Sequence, residues 1–343
     1  MINTYCTSDI IHDASGGGIV TAQESEALSN LGQLSIIDGN TIKHDNVFMS
    51  DYNALQHMSM ILKSDDINIS HFYAGTFSST IALLKAKGVK VTYTAAAHNI
   101  KDSVAEYKKL GIDFNYPHLT DKKMWDTYVR GYIESDICVC PSTHSAKIIE
   151  EYGCKKVVVI PHGCGIPKTT KVLPKTFTVG YLGAIGPDKG IIYLLKAWEK
   201  LDLKDSKLII AGKYSTHALP YVRNMKKGNI QLKGWIPNVS DFYNDISLYV
   251  QPSVTEGFGI EVIEAMAHGR PVIASNGCGA HECVKDSGLV FEKRNIDQLA
   301  EHIYSLYNNQ DMLTDMSIKA FNEGSKYSWH NIMAIYEKMW SEL

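Results

Sequence analysis

The sequence predicts an α/β protein built from two doubly wound parallel sheets, one in each half of the chain. Three observations carry this. Short apolar runs alternate with amphipathic helical segments from end to end, which is the pattern of parallel strands covered by helices on both faces. A length of 343 residues is enough for two cores. Between the halves, "PHGCGIPKTTKVLPK" at 161–175 holds three prolines and two glycines without any period, and it reads as a linker.

Taken in order, the strand-like runs of the first half are "INISHFYAG" (67–75), "VKVTYTAAAH" (89–98), "DICVCPS" (136–142) and "KKVVVIPHG" (155–163). They are short and apolar, and turn residues close several of them. The segments "TFSSTIALLKAKG" and "THSAKIIEEYG" repeat apolar residues at helical spacing. The second half continues with "FTVGYLGAIG" (177–186), "SKLIIAGK" (206–213), "NIQLKGW" (229–235), "ISLYVQPS" (246–253) and "RPVIASN" (270–276), interleaved with "GIIYLLKAWEKL" and "NIDQLAEHIYSLYN". Each sheet should be open, with a cleft between the two. Ligands of such sheets bind beyond the carboxyl ends of the strands, where loops enter helices.

Composition narrows the function classes. Apolar residues make up 45% and charged residues 21%, as in ordinary globular proteins. A net charge of -3 and a pI near 6.5 provide no bulk attraction for nucleic acid. The amino-terminal "MINTYCTSDIIHDASGGG" lacks a basic start followed by an apolar run, so no signal peptide is expected. No stretch approaches 18 apolar residues, so no membrane span is expected either. Cys6, Cys138, Cys140, Cys154, Cys164, Cys278 and Cys283 are odd in number and scattered, which fits reduced thiols in a cytoplasmic protein better than a disulfide framework. Cys138 and Cys140 share one face of a strand, and no second pair follows at zinc spacing. No metal site is expected.

The stretch "EGFGIEVIE" (256–264) is where chemistry concentrates. The strand "ISLYVQPS" ends there, and the loop "VTEGFG" enters a helix that starts near Gly259 or Ile260. Ile260, Ile263 and Ala267 recur at core-facing spacing, and Gly269 and Pro271 end the helix. A helix start favours an anion such as phosphate, and Gly257 and Gly259 permit close backbone approach. Glu264 lies roughly 9 Å beyond Phe258 along the helix axis, with Glu256 on the other side of the anion. A nucleoside diphosphate sugar has this layout, with hydroxyl-bearing rings on either side of a pyrophosphate, and each carboxylate suits a pair of hydroxyls. Two glutamates serving only the helix dipole have the same spacing.

The segment "QPSVTEGFGIEVIEAMAHGRPVIASNGCGAHECV" resembles the donor-site signature of the retaining glycosyltransferases of family 4. The resemblance extends through "GAIGPDKGIIYLLKAW", "LIIAGK", "LKGWIPNVSDFYNDISLYV" and "SGLVFEKRNIDQLAEHI". In the first half it is carried more thinly, by "SGGG", "AAAHN" and "SDICVCPSTHSAKIIEEYG…KVVVIPHG". It implies the GT-B fold, with two Rossmann-like domains facing a central cleft. The acceptor-binding domain would span 1–165 and the nucleotide-sugar domain 166–325. A final helix at 326–343 would cross back onto the first domain.

The resemblance also implies roles. Glu264 would bind ribose hydroxyls and Glu256 would face the transferred sugar. The backbone from Gly257 through Phe258 and Gly259 to Ile260 would touch sugar and phosphate. Lys189 in "GPDKG" would neutralise the pyrophosphate, a task suited to a compact ammonium. Gly212, Lys213 and Trp235 fall in the matching segments "LIIAGK" and "LKGW" and join the donor-binding set. In the first half, Gly16 and Gly17 of "ASGGGIV" would donate backbone N–H groups to donor phosphate, and His98 would reach the reacting sugar. One departure is plain. The family reads Gly-Arg-Leu before the lysine, and this chain reads Gly183-Ala184-Ile185. A charged donor to the leaving diphosphate is worth a few kcal/mol of barrier, of order 3 kcal/mol, so Lys213 substitutes, or the enzyme is slow, or the chain only binds.

The implied reaction retains anomeric configuration by front-face attack, with the departing diphosphate taking the acceptor's proton and no metal involved. A uridine donor is the family's commonest. The implied acceptor is a glycan, a lipid-linked glycan or a small molecule. Helical segments such as "KDSVAEYKKLG" and "DKKMWDTYVRGYI", with Trp125, Tyr128 and Tyr132, can lie on the inner face of a membrane in that family; an ordinary solvated face explains them as well. Three other readings stay open at this point. One is a catalytically weak glycan- or nucleotide-binding protein, and another is a nucleotide-sugar epimerase. The third is a nicotinamide-dependent oxidoreductase, whose fingerprint "GYLGAIG" matches poorly because its glycines are spaced G-x-x-G-x-x-G.

Overall fold

The computed structural model describes residues 2–7, 11, 16–42, 47–64, 66–73, 75, 77–95, 97, 99–114, 122–170, 172–213 and 228–343. Packing divides the chain into two units. Unit 1 comprises Met1–Ala97, Asn115–His162 and Trp329–Leu343, and unit 2 comprises His98–Phe114 and Gly163–Ser328.

In chain order the first elements are β1 (Ile2–Thr7), α1 (Gly16–Ser29), β2 (Leu34–Ile37), α2 (Gly39–Ile42), α3 (Val47–Ser64), β3 (Ile67–Tyr73), α4 (Ser78–Ala86), β4 (Lys90–Thr94) and α5 (Ile100–Lys109). They continue with α6 (Lys122–Glu134), β5 (Ile137–Cys140), α7 (Thr143–Glu151), β6 (Val157–Val159), β7 (Thr178–Leu182), α8 (Ile191–Lys200), β8 (Lys207–Ala211), β9 (Ile230–Gly234) and α9 (Val239–Asp245). Then come β10 (Leu248–Gln251), α10 (Ile260–Ala267), β11 (Val272–Ser275), α11 (His281–Val284), β12 (Gly288–Phe291), α12 (Ile296–Asn308), α13 (Gln310–Gly324) and α14 (Trp329–Ser341). Every strand run read from the sequence is present, trimmed at its ends. Three strands were not foreseen. β1 reads "INTYCT", whose buried Asn3, Thr4 and Thr7 disguise it, and β2 and β12 are four residues each.

Unit 1 holds a parallel sheet in the order β2-β1-β3-β4-β5-β6. Its core includes a buried polar network. The fully buried Glu24 carboxylate accepts from the Tyr5 hydroxyl at 2.6 Å, from Thr94 at 2.8 Å, and pairs with His71 at 3.2 Å. Burial alone would raise the Glu24 pKa; His71 and the hydroxyl donors overcome this and hold it below the usual range. The last helix, α14, packs here: Trp340 donates its indole N–H to Thr92 at 3.0 Å and lies edge-on to His71.

Unit 2 holds a second parallel sheet, ordered β12-β11-β10-β7-β8-β9. Alternate residues of its strands enter opposite cores, as the two-residue period demands. Val179, Tyr181, Leu208, Ile210, Leu248 and Val250 face α8 and α12, whereas Leu182, Ile209, Ala211, Tyr249 and Val272 face α9 and α10. The sheet is therefore covered on both faces.

One segment departs from the expected division at 165/166. The residues at 99–114 fall within the span assigned to the first domain, yet they pack with unit 2. The cause is electrostatic. Asp102 of α5 bonds Lys293 at 2.6 Å and Arg294 at 2.8 Å, and Glu106 accepts from Arg294 at 2.8 Å and from Tyr193 at 2.7 Å. The final helix also begins three residues later than expected, at Trp329. Among the described residues, no helix is long and apolar enough to cross a membrane. All seven cysteines are buried and free of disulfides.

Candidate active site

In unit 2 the first strand, β7, lies mid-sheet. The chain then winds outward through β8 and β9, returns, and winds the other way through β10, β11 and β12. The winding reverses between β7 and β10, and such a switch point opens a crevice at the carboxyl ends of the strands. Two loops leave it, 183–190 from β7 and 252–259 from β10. Backbone hydrogen bonds fasten the neighbouring loops together. The N–H of Val254 donates to Asp188 O at 2.8 Å, Ile185 N–H to Lys213 O at 2.9 Å, and Glu256 N–H to Gly277 O at 2.9 Å. This places Gly212 and Lys213, at the end of β8, against the β7 loop. A Cβ on Gly212 would sit 1.8 Å from Gly183 O at a φ of +130°, so the approach of these two loops requires glycine.

The second loop ends at Gly259, which caps α10 in the left-handed region at φ +94°. A Cβ there would lie 2.7 Å from Cys278 Sγ. Gly259 thus has a folding role beside the anion approach read from the sequence. The side chain of Phe258 is buried in the apolar cluster with Val262 and Ile263, so its contribution to a ligand is limited to backbone. Gly257 and Ile260 flank it at the helix entrance.

Charge gathers around this entrance. Lys189 forms an ion pair with Glu256. Burial alone would lower the Lys189 pKa, but Glu256 and Asp188 raise it above its ordinary range. Glu264, further along α10, accepts from the Tyr243 hydroxyl at 2.8 Å. Burial pushes the Glu264 carboxyl upward, and that hydrogen bond partly opposes it. Glu261, between them, is pushed up to about 7 by burial and by the Glu256 and Glu264 charges, against its own backbone N–H and Lys189. Sequence reasoning passed over Glu261, Asp188 and Tyr243. The available signal for Glu261 was a third acidic residue in a helix whose other early positions are apolar.

The structure therefore brings Lys189, Glu256, Gly257, Gly259, Ile260 and Glu264 to one switch point, with Gly212 and Lys213 beside it. Trp235 follows β9 and is 59% exposed. Ala184 is exposed at the position of the missing arginine, and its carbonyl accepts from the Tyr181 hydroxyl at 2.7 Å. Gly16 and Gly17 begin α1 and so belong to unit 1. His98 lies outside the described residues. Among the described residues, no group of three or more His, Cys, Asp or Glu side chains could hold a metal ion.

Comparison with known proteins follows the same division. Residues 176–309, most of unit 2, match the family model for glycosyl transferases group 1. A glycosyltransferase of Methanocaldococcus jannaschii is 30% identical over 61% of this chain and 60% of its own length. A capsular polysaccharide biosynthesis glycosyltransferase of Staphylococcus aureus is 32% identical over 42% of this chain and 40% of its own. For the O-antigen chain mannosyltransferase B of Escherichia coli the figures are 29%, 44% and 42%. The chain spans about half the length of the curated relatives it matches. In structure, the sucrose-phosphate synthase of Thermosynechococcus elongatus superimposes with a TM-score of 0.80 at 17% identity, covering 100% of this chain and 99% of that one. The Anabaena HepE protein in complex with UDP superimposes with a TM-score of 0.76 at 14% identity, covering 100% of both chains. At these identities the likeness shows the fold, which is GT-B. In sequence, most of the second unit of this chain is similar to the group 1 glycosyltransferases, and in fold the whole chain is similar to these two GT-B structures.

Proposed function

We propose that this chain is a retaining glycosyltransferase that moves a sugar from a nucleoside diphosphate sugar to a glycan, a lipid-linked glycan or a small acceptor, without a metal ion. The observation that carries this is the switch point of unit 2. There an eight-residue helix starts beside Lys189, with Glu256 before the helix and Glu264 within it. The helix start and the Lys189 ammonium supply positive potential for a diphosphate. Glu264, oriented by Tyr243, would take the ribose hydroxyls, and Glu256 would take the transferred sugar. Because Glu256 already holds Lys189, a bound donor would exchange that pair for contacts with its own sugar and phosphate. The acceptor hydroxyl would attack on the face the diphosphate leaves, and the diphosphate would carry off the proton, so the protein provides orientation and electrostatics. A UDP-sugar is the first donor to try, supported by the similar Anabaena structure that holds UDP. A glycan acceptor is supported by relatives named for capsular polysaccharide and O-antigen synthesis. Peripheral attachment to the inner face of a membrane goes with a lipid-linked acceptor.

Ala184 favours one second reading, a GT-B protein that binds sugar nucleotides and turns them over weakly. Donor turnover decides between them. The purified protein is incubated in excess EDTA with UDP-, GDP- and ADP-sugars, and released nucleoside diphosphate is measured. Release from one donor that Glu264→Ala abolishes supports the enzyme and names its base. Saturable binding without release, in the presence of acceptor extracts, supports the weak binder.

A further inference from the structure

The entrance of α10 carries a carboxylate with no part in the reading above. Glu261 sits on the first turn of that helix, and its Oε1 lies 3.5 Å from where a Cβ on Gly183 would be. It therefore borders the backbone of the β7 loop. Its two neighbouring glutamates each have a partner: Glu256 has Lys189, and Glu264 has the Tyr243 hydroxyl. Among the described residues Glu261 forms no ion pair.

The groups facing it come from every element packed around it. They are Tyr181 of β7, Lys189 of the following loop, Tyr243 of α9, Tyr249 of β10, Glu256 and Glu264, and Cys278 beyond β11. Lys189 is the one cation in this set, and Glu256 already holds it. A diphosphate placed here would meet an ionised Glu261 as a like charge in a poorly solvated place. Protonation turns the same side chain from a repelling group into a hydrogen-bond donor.

We propose that Glu261 is a proton-linked donor-binding residue: it takes up a proton when a nucleoside diphosphate sugar binds and donates that proton in a hydrogen bond toward the diphosphate. This rests on the donor-site reading of unit 2. The free carboxyl, pushed up to about 7, is about half protonated at neutral pH, and a diphosphate beside it raises it further. Affinity for the donor is then greatest below pH 7 and falls as pH rises above it, by up to about tenfold per pH unit.

Isothermal titration calorimetry tests this with UDP-glucose, GDP-mannose and ADP-glucose, diphosphate diesters whose phosphates do not titrate in the range used. Each is titrated at pH 6.5, 7.5 and 8.5 in pairs of buffers with different ionisation enthalpies. The wild-type protein should take up between about half a proton and one proton per bound sugar nucleotide at pH 7.5 and above. Glu261→Gln should bind with no uptake and with affinity independent of pH. Binding by the wild-type protein without uptake, or uptake that persists in Glu261→Gln, overturns this inference and leaves the donor site standing. Absence of binding by all three sugar nucleotides overturns the donor-site reading and this inference with it.

Discussion

Glu261 shows at the scale of one residue how a site can be set against the stability of its own fold. Its folded value of about 7 lies above the ordinary 4.5 for a glutamate. A carboxyl raised in this way leaves folding unopposed below the ordinary value and weakens it as pH rises through the folded value. Glu261→Gln, which carries no charge, is expected to stabilise the free protein at pH 8 by on the order of 2 kcal/mol, allowing for partial solvent screening. At pH 4 the two proteins should melt together. Thermal melts at both pH values check this, and a variant no more stable at pH 8 would mean that the carboxylate is better solvated than its position implies. Gly259 belongs to the same scale. A glycine before a helix is legible as an anion-binding signal, but the left-handed φ and the nearby Cys278 sulfur that also require it come from a loop some twenty residues on.

The element scale is best represented by α5. In sequence it belongs to the first half, and its acidic residues Asp102 and Glu106 look like an ordinary solvated face. In the structure they meet Lys293 and Arg294, from the loop that follows β12. Asn99 caps the helix with its side chain, and its backbone N–H donates to Thr255 Oγ1 at 2.8 Å, in the loop that follows β10. Arg294 keeps a φ of 72°, a conformation that non-glycine residues hold only when their surroundings fix it. Arg294→Ala removes the guanidinium from two carboxylates, one of them 3% exposed, and is expected to cost about 3 kcal/mol. Hydrogen exchange should locate the loss: the amides of α5 should exchange much faster while those of β7, β8 and β10 keep their protection. Uniform acceleration across unit 2 would mean that α5 is an integral part of that core and not a clamped addition.

For the whole molecule, the chain leaves unit 1 twice, first for the segment that carries α5 and then for Gly163–Ser328, and comes back to unit 1 for the last time with α14. Trp340 is 1% exposed, and with Tyr336 it closes the buried network around Glu24 and His71. Trp340→Ala is expected to remove about 3–5 kcal/mol. Because α14 packs in unit 1, calorimetry should show the loss in that unit's unfolding, with the melting of unit 2 unchanged. An equal drop in both transitions would show that the units unfold as one.

The sequence by itself determined the parallel sheets and pointed to the candidate site. Strand runs and helical periods are local patterns, and glycine-broken loops at strand ends mark where such sheets bind ligands. The grouping of Glu256, Glu264 and Lys189 at one candidate site was legible because "EGFGIEVIE" and "GPDKG" each carry their signal within nine residues. The tertiary structure decided what depends on distant partners. Strand order puts β7 next to β10 and so makes the switch point; Lys293 and Arg294 draw α5 to unit 2; and burial among like charges raises Glu261. None of these is written in a local pattern, because each is an interaction between groups that only folding brings within reach.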